Sequence, residues 1–354
     1  MSVCDRGRDE LYDNVYRAVL ICKLAGLSFA KTKRIVREVF EVIPKKKIPR
    51  SMLKNWYYGH KKHRMTRLNA LDKSLWYCKA YELALELKRE HHNWGYKKIA
   101  TKIRKKLPIR VPPMTVYFWI TGRSKPNITP LKMCPELGYL VGVLVGDRRR
   151  TGDGLKVKDR EFIEYYAHMY EKATGVKPNV ILDRDGYHRT SEGGGFLKAL
   201  WLTELWKVVA YIYPRQFLQG LFDSEGCISF RKSSPSYILK ISTGNLEVLL
   251  TATKLLKKLG YKTKTYIKPP QTRTIGGRKI HFNQSYDLRI LGGKKALYKF
   301  AAEVGFREGK RRKRLAALIE AFKHPPKEIH KTYLKLTTPS PNFAILTQKI
   351  RKKG

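Results

Sequence analysis

Two segments of this chain share one layout. Residues 137–147 (LGYLVGVLVGD) and 217–226 (FLQGLFDSEG) are each an apolar helical run that carries a glycine and reaches an acid five residues later, Gly142 to Asp147 and Gly220 to Glu225. A second small residue follows each glycine at the fourth position, Gly146 in one copy and Ser224 in the other. That spacing puts a small-residue stripe on one face of each helix, so two such helices can touch backbone to backbone. The approach would bring Asp147 and Glu225 together at the same end of the pair, and two carboxylates sharing a site are a ready holder for a divalent metal. One copy alone would be an ordinary buried packing helix. Two copies separated by 225 − 147 = 78 residues imply two comparable halves.

The flanks extend the repeat. After Glu225, alternating runs from Cys227 (CISFRK) and Tyr237 (YILKIST) read as paired strands with one apolar face. An amphipathic helix over 245–259 follows, with Asn245 as N-cap and Gly260 as its stop. Further strand-like runs from Tyr261 and Lys279 precede helices near 296–304 and 310–322. The first half is thinner. Only GLKVK at 154–158 reads as strand before a helix over 160–174; a second strand pair is expected around 179–182 and 193–195, with a helix over 202–211 closing the half. Together these residues resemble the LAGLIDADG homing endonuclease family in its single-chain, two-motif form. Arg148 stands where that family usually has glycine after its acid. The resemblance covers 135–323 and implies an α+β fold of two pseudo-symmetric αββαββα half-domains, at 136–213 and 214–323, joined through the two motif helices.

Composition sets the partner. Lys plus Arg number 74 against 29 Asp plus Glu, a net charge of +45 that calls for a polyanion. A protein neutralising about 6–10 phosphates loses on the order of a thousandfold or more in affinity between 50 and 200 mM salt. No run of eighteen apolar residues occurs and the first ten residues have no signal-peptide core, so a membrane partner is not expected and a cytoplasmic, nucleoid-associated protein of a prokaryote is. The five cysteines form no CxxC pair, which points to free thiols rather than a disulfide framework or zinc finger. The nine histidines form no HxxxH pattern, and no GxxxxGK[ST] loop appears. Five Gln and nine Asn beside abundant Lys point to a thermophilic host.

Before the motif region lies a second repeat. IPRSMLKNWYYGH from Ile48 matches VPPMTVYFWITGR from Val111, with Pro49, Leu53, Trp56 and Gly59 each 63 residues before Pro112, Val116, Trp119 and Gly122. Each segment follows an amphipathic helix, at 29–40 and 95–107, so both read as helix-turn-helix units, expected at 1–66 and 67–125. Leu53, Trp56 and Tyr57 in one copy, and Val116, Trp119 and Ile120 in the other, are expected inward. Lys54, Asn55, Thr115 and Tyr117 are expected outward, against DNA. Residues 126–135, rich in proline, read as a linker, and 324–354 as an extended basic tail.

The resemblance implies site-specific cutting of double-stranded DNA by a monomer, with Asp147 and Glu225 as catalytic metal ligands and Mg²⁺, or Mn²⁺ in its place, as the ion. The family also places a basic residue near each cut. Lys240 and Lys310 are the candidates, with Arg311 and Arg312 as alternatives. The strand faces supply the recognition surface, drawn from Arg231, Lys232, Ser242, Lys262, Lys264, Tyr266, Lys268, Arg278 and Arg289. Alternation allows about half of the basic strand residues onto the groove side. Two other functions use the same scaffold: an RNA-splicing maturase, with intron RNA as partner, and a catalytically inactive transcriptional regulator.

Overall fold

The computed structural model describes residues 3–40, 48–63, 65, 68–147, 154–191, 193–231, 236–276 and 278–337. The chain divides into two compact units, Met1–Gly220 and Leu221–Gly354.

The first unit opens with six helices, α1 (Val3–Leu24), α2 (Phe29–Phe40), α3 (Arg50–Tyr58), α4 (Ala70–Glu90), α5 (Tyr96–Lys106) and α6 (Pro113–Ile120). They form two successive three-helix groups, and each short third helix buries two of the three residues expected inward, Leu53 and Trp56 in α3 and Val116 and Trp119 in α6, while Ile120 is half-buried. Gly59 and Gly122 follow these helices with φ of +81° and +73°, a left-handed conformation that glycine adopts without a Cβ penalty. Tyr57 is only half-buried, its hydroxyl donating to the Leu27 carbonyl at 2.7 Å. The two groups are tied by a buried ion pair, Arg17 on α1 to Asp72 on α4, at 2.8 Å with side chains 6% and 2% exposed. Asp72 also closes a capping box with Asn69, which starts α4.

The unit continues with α7 (Pro135–Asp147), β1 (Lys156–Val157), α8 (Arg160–Thr174), β2 (Val180–Leu182), β3 (His188–Thr190), α9 (Phe196–Leu202), α10 (Leu205–Ile212) and the first part of α11 (Pro214–Glu225). The second strand pair uses His188–Thr190, not the glycines at 193–195, and the sheet runs β1-β3-β2, antiparallel. Gly195 instead starts α9, with φ of +74°. The closing helix expected over 202–211 is α10; a break at Thr203 and Glu204, the latter with φ of +59°, sets its start at Leu205 and separates it from α9, a helix not expected.

The N-terminal helices pack into this first half and do not stand apart from it. Helices α1 and α2 lie against α10, and α4 lies against α9. The segment read as a linker threads the same core: Leu131 is buried, its N–H donates to the Ser74 carbonyl of α4, and the Lys132 N–H donates to Ala173 of α8, both at 2.9 Å. A boundary at 126–135 would cut through these contacts, because prolines that forbid a helix do not forbid packing.

The second unit takes the rest of α11, then β4 (Gly226–Arg231), β5 (Ser236–Thr243), α12 (Leu246–Lys258), β6 (Lys262–Lys268), β7 (Gln271–Ile275), β8 (Arg278–Phe282), β9 (Ser285–Leu291), α13 (Gly293–Glu303), α14 (Gly309–Ala321) and α15 (Pro326–Thr337). Strands β4-β5-β9-β6 form one antiparallel sheet; β7 and β8 pair as a separate ribbon turning at Gly276. One sheet face carries Ile228, Leu239, Ile241, Leu288 and Ile290, all buried. The residues expected as a tail begin with a helix. Pro326 sits at its first position, where proline's fixed φ and missing N–H cost nothing. Tyr333 and His330 of α15 stack on Phe230 of β4, with ring centroids 5.2 and 5.5 Å away.

Candidate functional site

In the first unit the two motif helices meet as the small-residue stripe requires. A Cβ built on Gly220 would overlap the Tyr139 carbonyl oxygen and lie 2.9 Å from the Val143 nitrogen, so the backbone of α11 touches the backbone of α7. Gly138 makes the reciprocal approach, with the Tyr213 Cβ 2.6 Å from the position its own Cβ would take. Along the contact, 138 faces 213–216 and 139–143 face 220, so the helices run in the same sense through it. Asp147 is the last residue of α7 and is exposed; Glu225 is the last residue of α11 and is half-buried. Arg148 and the residues up to 153 lie outside the described residues.

In the second unit the end of α11 is gripped from α14. Asp223, fully buried, accepts hydrogen bonds from the backbone N–H groups of Arg307 and Glu308 at 2.7 and 3.1 Å. Arg311 donates to the carbonyl oxygens of Asp223 and Ser224, capping the helix C-terminus, where a cation is favoured. Lys310, the first choice from sequence, is exposed. The basic residue placed at this helix end is therefore Arg311, one position on. Gly226 allows the turn from helix into strand, since a Cβ there would overlap the Phe222 carbonyl oxygen.

The sheet then presents one polar face. Register places Cys227 opposite Lys240, Lys240 opposite Arg289 and Arg289 opposite Lys264. The next row joins Ser242, Asp287 and Tyr266. Cross-strand partners share a face, so Arg231, Lys240, Ser242, Lys262, Lys264, Tyr266, Lys268 and Arg289 all lie on one surface, opposite the apolar face. Lys240 stands across from the second residue after Glu225. Lys232 lies outside the described residues, as does the side chain of Arg278.

Sequence reasoning missed the acid at the centre of this surface. Asp287 is 1% exposed, and its carboxylate receives Lys240 at 2.7 Å, Lys268 at 2.8 Å and the Ser242 hydroxyl at 2.7 Å. Burial alone would raise its pKa, but these three donors outweigh it and bring the group from 3.8 down to about 2. A folded-state pKa below the unfolded one gives stability that is present above pH ~4 and lost as pH falls through ~2. Asp287→Asn is thus expected to cost on the order of 2 kcal/mol at pH 7, with the gap from wild type closing between pH 4 and 2 in denaturant titrations. A gap independent of pH would mean the carboxylate's charge contributes nothing.

The first unit's sheet differs in charge. Lys156 pairs with Asp183 and Asp185 at 2.9 and 2.7 Å, and Arg189 pairs with Asp183 at 2.6 Å. Those acids hold the Lys156 pKa up and are themselves held down by it. On the helical repeats, Lys54 is exposed and Asn55 half-buried on α3. Thr115 is half-buried on α6, and Tyr117 packs its ring on Tyr96 with Arg123 5.3 Å above it.

Among the described residues no three His, Cys, Asp or Glu side chains cluster to hold a metal, and no helix is long and apolar enough to cross a membrane.

Residues 213–305 match the family model of the LAGLIDADG-like domain. An uncharacterized protein of Methanocaldococcus jannaschii is 28% identical over 251 residues, 65% of this chain and 90% of that protein. A DNA polymerase of Thermococcus hydrothermalis is 24% identical over 277 residues, 68% of this chain and only 16% of the polymerase. Among solved structures, mesophilic variants of the homing endonuclease I-DmoI align over 49% of this chain and 96% of theirs, at 18% identity and a TM-score of 0.35. I-DmoI in complex with DNA and Mn aligns over 49% and 97%, at 18% identity and a TM-score of 0.33.

Proposed function

The chain carries a LAGLIDADG-like domain at residues 213–305, and from that premise we propose that it is a site-specific double-strand DNA endonuclease using divalent metal. The observation that carries the reading is the backbone contact at Gly220 between two helices that each end in a carboxylate. A close-packed pair with no acids would be a scaffold; acids on two loosely packed helices would be surface charge.

The donor set suits a hard cation. Asp147 and Glu225 both retain solvent access and offer oxygen ligands of the kind Mg²⁺ prefers, and phosphate and water oxygens would complete its shell. When bound, such an ion would lower the pKa of a water and stabilise charge on the departing oxygen. The chain's own part is positional. Lys240 stands across the ladder from the residue two past Glu225, and its ion pair with Asp287 fixes its ammonium near that strand end. The basic sheet face supplies double-stranded DNA with phosphate contacts and, through a few side chains, base contacts.

Charge argues that the second half does more of the recognition. Its sheet face carries six cations around the single buried Asp287, whereas Lys156 and Arg189 of the first sheet are neutralised by Asp183 and Asp185. The test is incubation of the full chain with Mg²⁺ and a randomised duplex library, followed by sequencing of cut ends. Cuts at one recurring sequence support the proposal. Enrichment by binding with no cut ends would overturn the endonuclease reading in favour of a regulator.

A further inference from the structure

Arg289 differs from the other cations of the sheet face. It lies on β9, an inner strand between β5 and β6, in the row Lys240–Arg289–Lys264. Its guanidinium sits over the Tyr266 ring, 4.2 Å from the centroid. Its Nε is out of solvent reach and has no hydrogen-bond partner among the described residues. Asp287, the acid in the neighbouring row, is already taken by Lys240, Lys268 and Ser242. The guanidinium is therefore held by stacking rather than by an ion pair. With the Nε edge covered and the side chain only partly buried, what Arg289 can offer a ligand is the fork of its terminal nitrogens.

We propose that Arg289, fixed on Tyr266, is a base-reading residue of this surface and that it selects a guanine through the major groove; the inference rests on the DNA-binding part of the function proposed above. Three physical points favour base over phosphate. A planar fork matches the paired acceptors O6 and N7 of guanine, the commonest specific contact of arginine. Stacking removes the rotamer freedom that a bidentate contact would otherwise have to freeze. An inner strand faces the groove floor, while Lys262 and Lys264 of the edge strand β6 are exposed point charges better suited to the phosphate rims. Arg289 also borders a hollow of about 440 Å³ shared with Tyr266 and Arg231.

The experiment is binding selection from a random duplex library with the full chain in Ca²⁺, so that cutting plays no part. Wild type is expected to enrich a sequence containing a guanine whose replacement lowers affinity roughly 5- to 150-fold, the range of about 1–3 kcal/mol for a bidentate pair. Arg289→Gln is expected to shift that one position from guanine to adenine, which glutamine matches with its own paired contacts. Arg289→Lys and Tyr266→Leu should blunt the same position and leave the rest of the sequence intact; these two carry the test should the glutamine variant unfold. Equal loss of affinity on all sequences, with the log–log salt slope shallower by about one, would make Arg289 a phosphate contact and overturn the inference. So would variants that keep the wild-type sequence. Enrichment of no sequence by wild type would remove both this inference and the site-specific reading, whereas a guanine switch without cutting by any metal would leave this inference standing and only the endonuclease reading lost.

Discussion

Glu225→Gln and Asp147→Asn are each expected to lower double-strand cutting by about a thousandfold or more, ~4 kcal/mol of transition-state stabilisation at 1.36 kcal/mol per decade. Binding to the same duplex should stay equal or tighten slightly. The reason is a difference in roles: an amide keeps the shape of the carboxylate but carries no charge to hold a divalent ion, while a carboxylate beside phosphates only repels them. Ca²⁺ in place of Mg²⁺ should mimic the variants, since the larger ion with looser geometry binds DNA and protein but orients water poorly. The measurement pairs cleavage rate with equilibrium binding for wild type and both variants. Cutting at the wild-type rate by either variant would sink the assignment of that residue, and loss of binding in step with cutting would mean that the substitution damaged the fold.

The elements legible in sequence were those whose local chemistry agrees with their place in the fold. Asn245 caps α12 as its side chain and position suggest, accepting from the Glu247 and Val248 N–H groups at 2.9 and 3.3 Å. The alternation in YILKIST matches β5, with Leu239, Ile241 and Thr243 buried and Lys240 and Ser242 on the other face. Missed elements were those whose signals conflict. Prolines at 325 and 326 read as breakers, yet one of them starts α15, whose aromatic residues cover Phe230. Gly276 follows β7 at the turn into β8, in a stretch rich in Thr, Arg and Lys that has no apolar period. Arg17 and Asp72 look like surface charges on two helices; only the tertiary fold makes them a buried pair, and no local pattern announces that 55-residue separation.

The site divides in the same way. Which residues of one strand share a face follows from a period of two, so Lys262, Lys264, Tyr266 and Lys268 could be grouped before any coordinates; that Arg231, Ser242 and Arg289 of other strands join them, where about half were expected, comes from register. Which cation serves which acid depends on long-range register. Lys240 is held by Asp287, 47 residues away, and Arg311 reaches the end of α11, 88 residues away. Neither distance leaves a trace in local composition. That is why Lys310 and Arg311 were indistinguishable from sequence and are clearly different in the fold.

Gly220→Ala is expected to be among the most damaging single-methyl changes in the chain, at or beyond the upper end of the roughly 1–3 kcal/mol typical of overpacking. A flexible neighbour could move aside, but the atoms that meet this Cβ are the Tyr139 carbonyl oxygen and the Val143 nitrogen, main-chain atoms of α7. Relief requires the helices to separate, and separation strips contacts from Phe217 and Leu140, both fully buried. The alanine would otherwise help, because glycine inside a helix costs about 1 kcal/mol relative to alanine; a net loss would therefore report the contact itself. Gly244→Ala is the control, since its Cβ would meet only the Gln284 carbonyl oxygen at an ordinary 3.8 Å. Chemical denaturation of the two variants compares them directly. If Gly220→Ala is as stable as wild type, the two motif helices do not touch through their backbones, and the physical basis for treating them as a pair is gone.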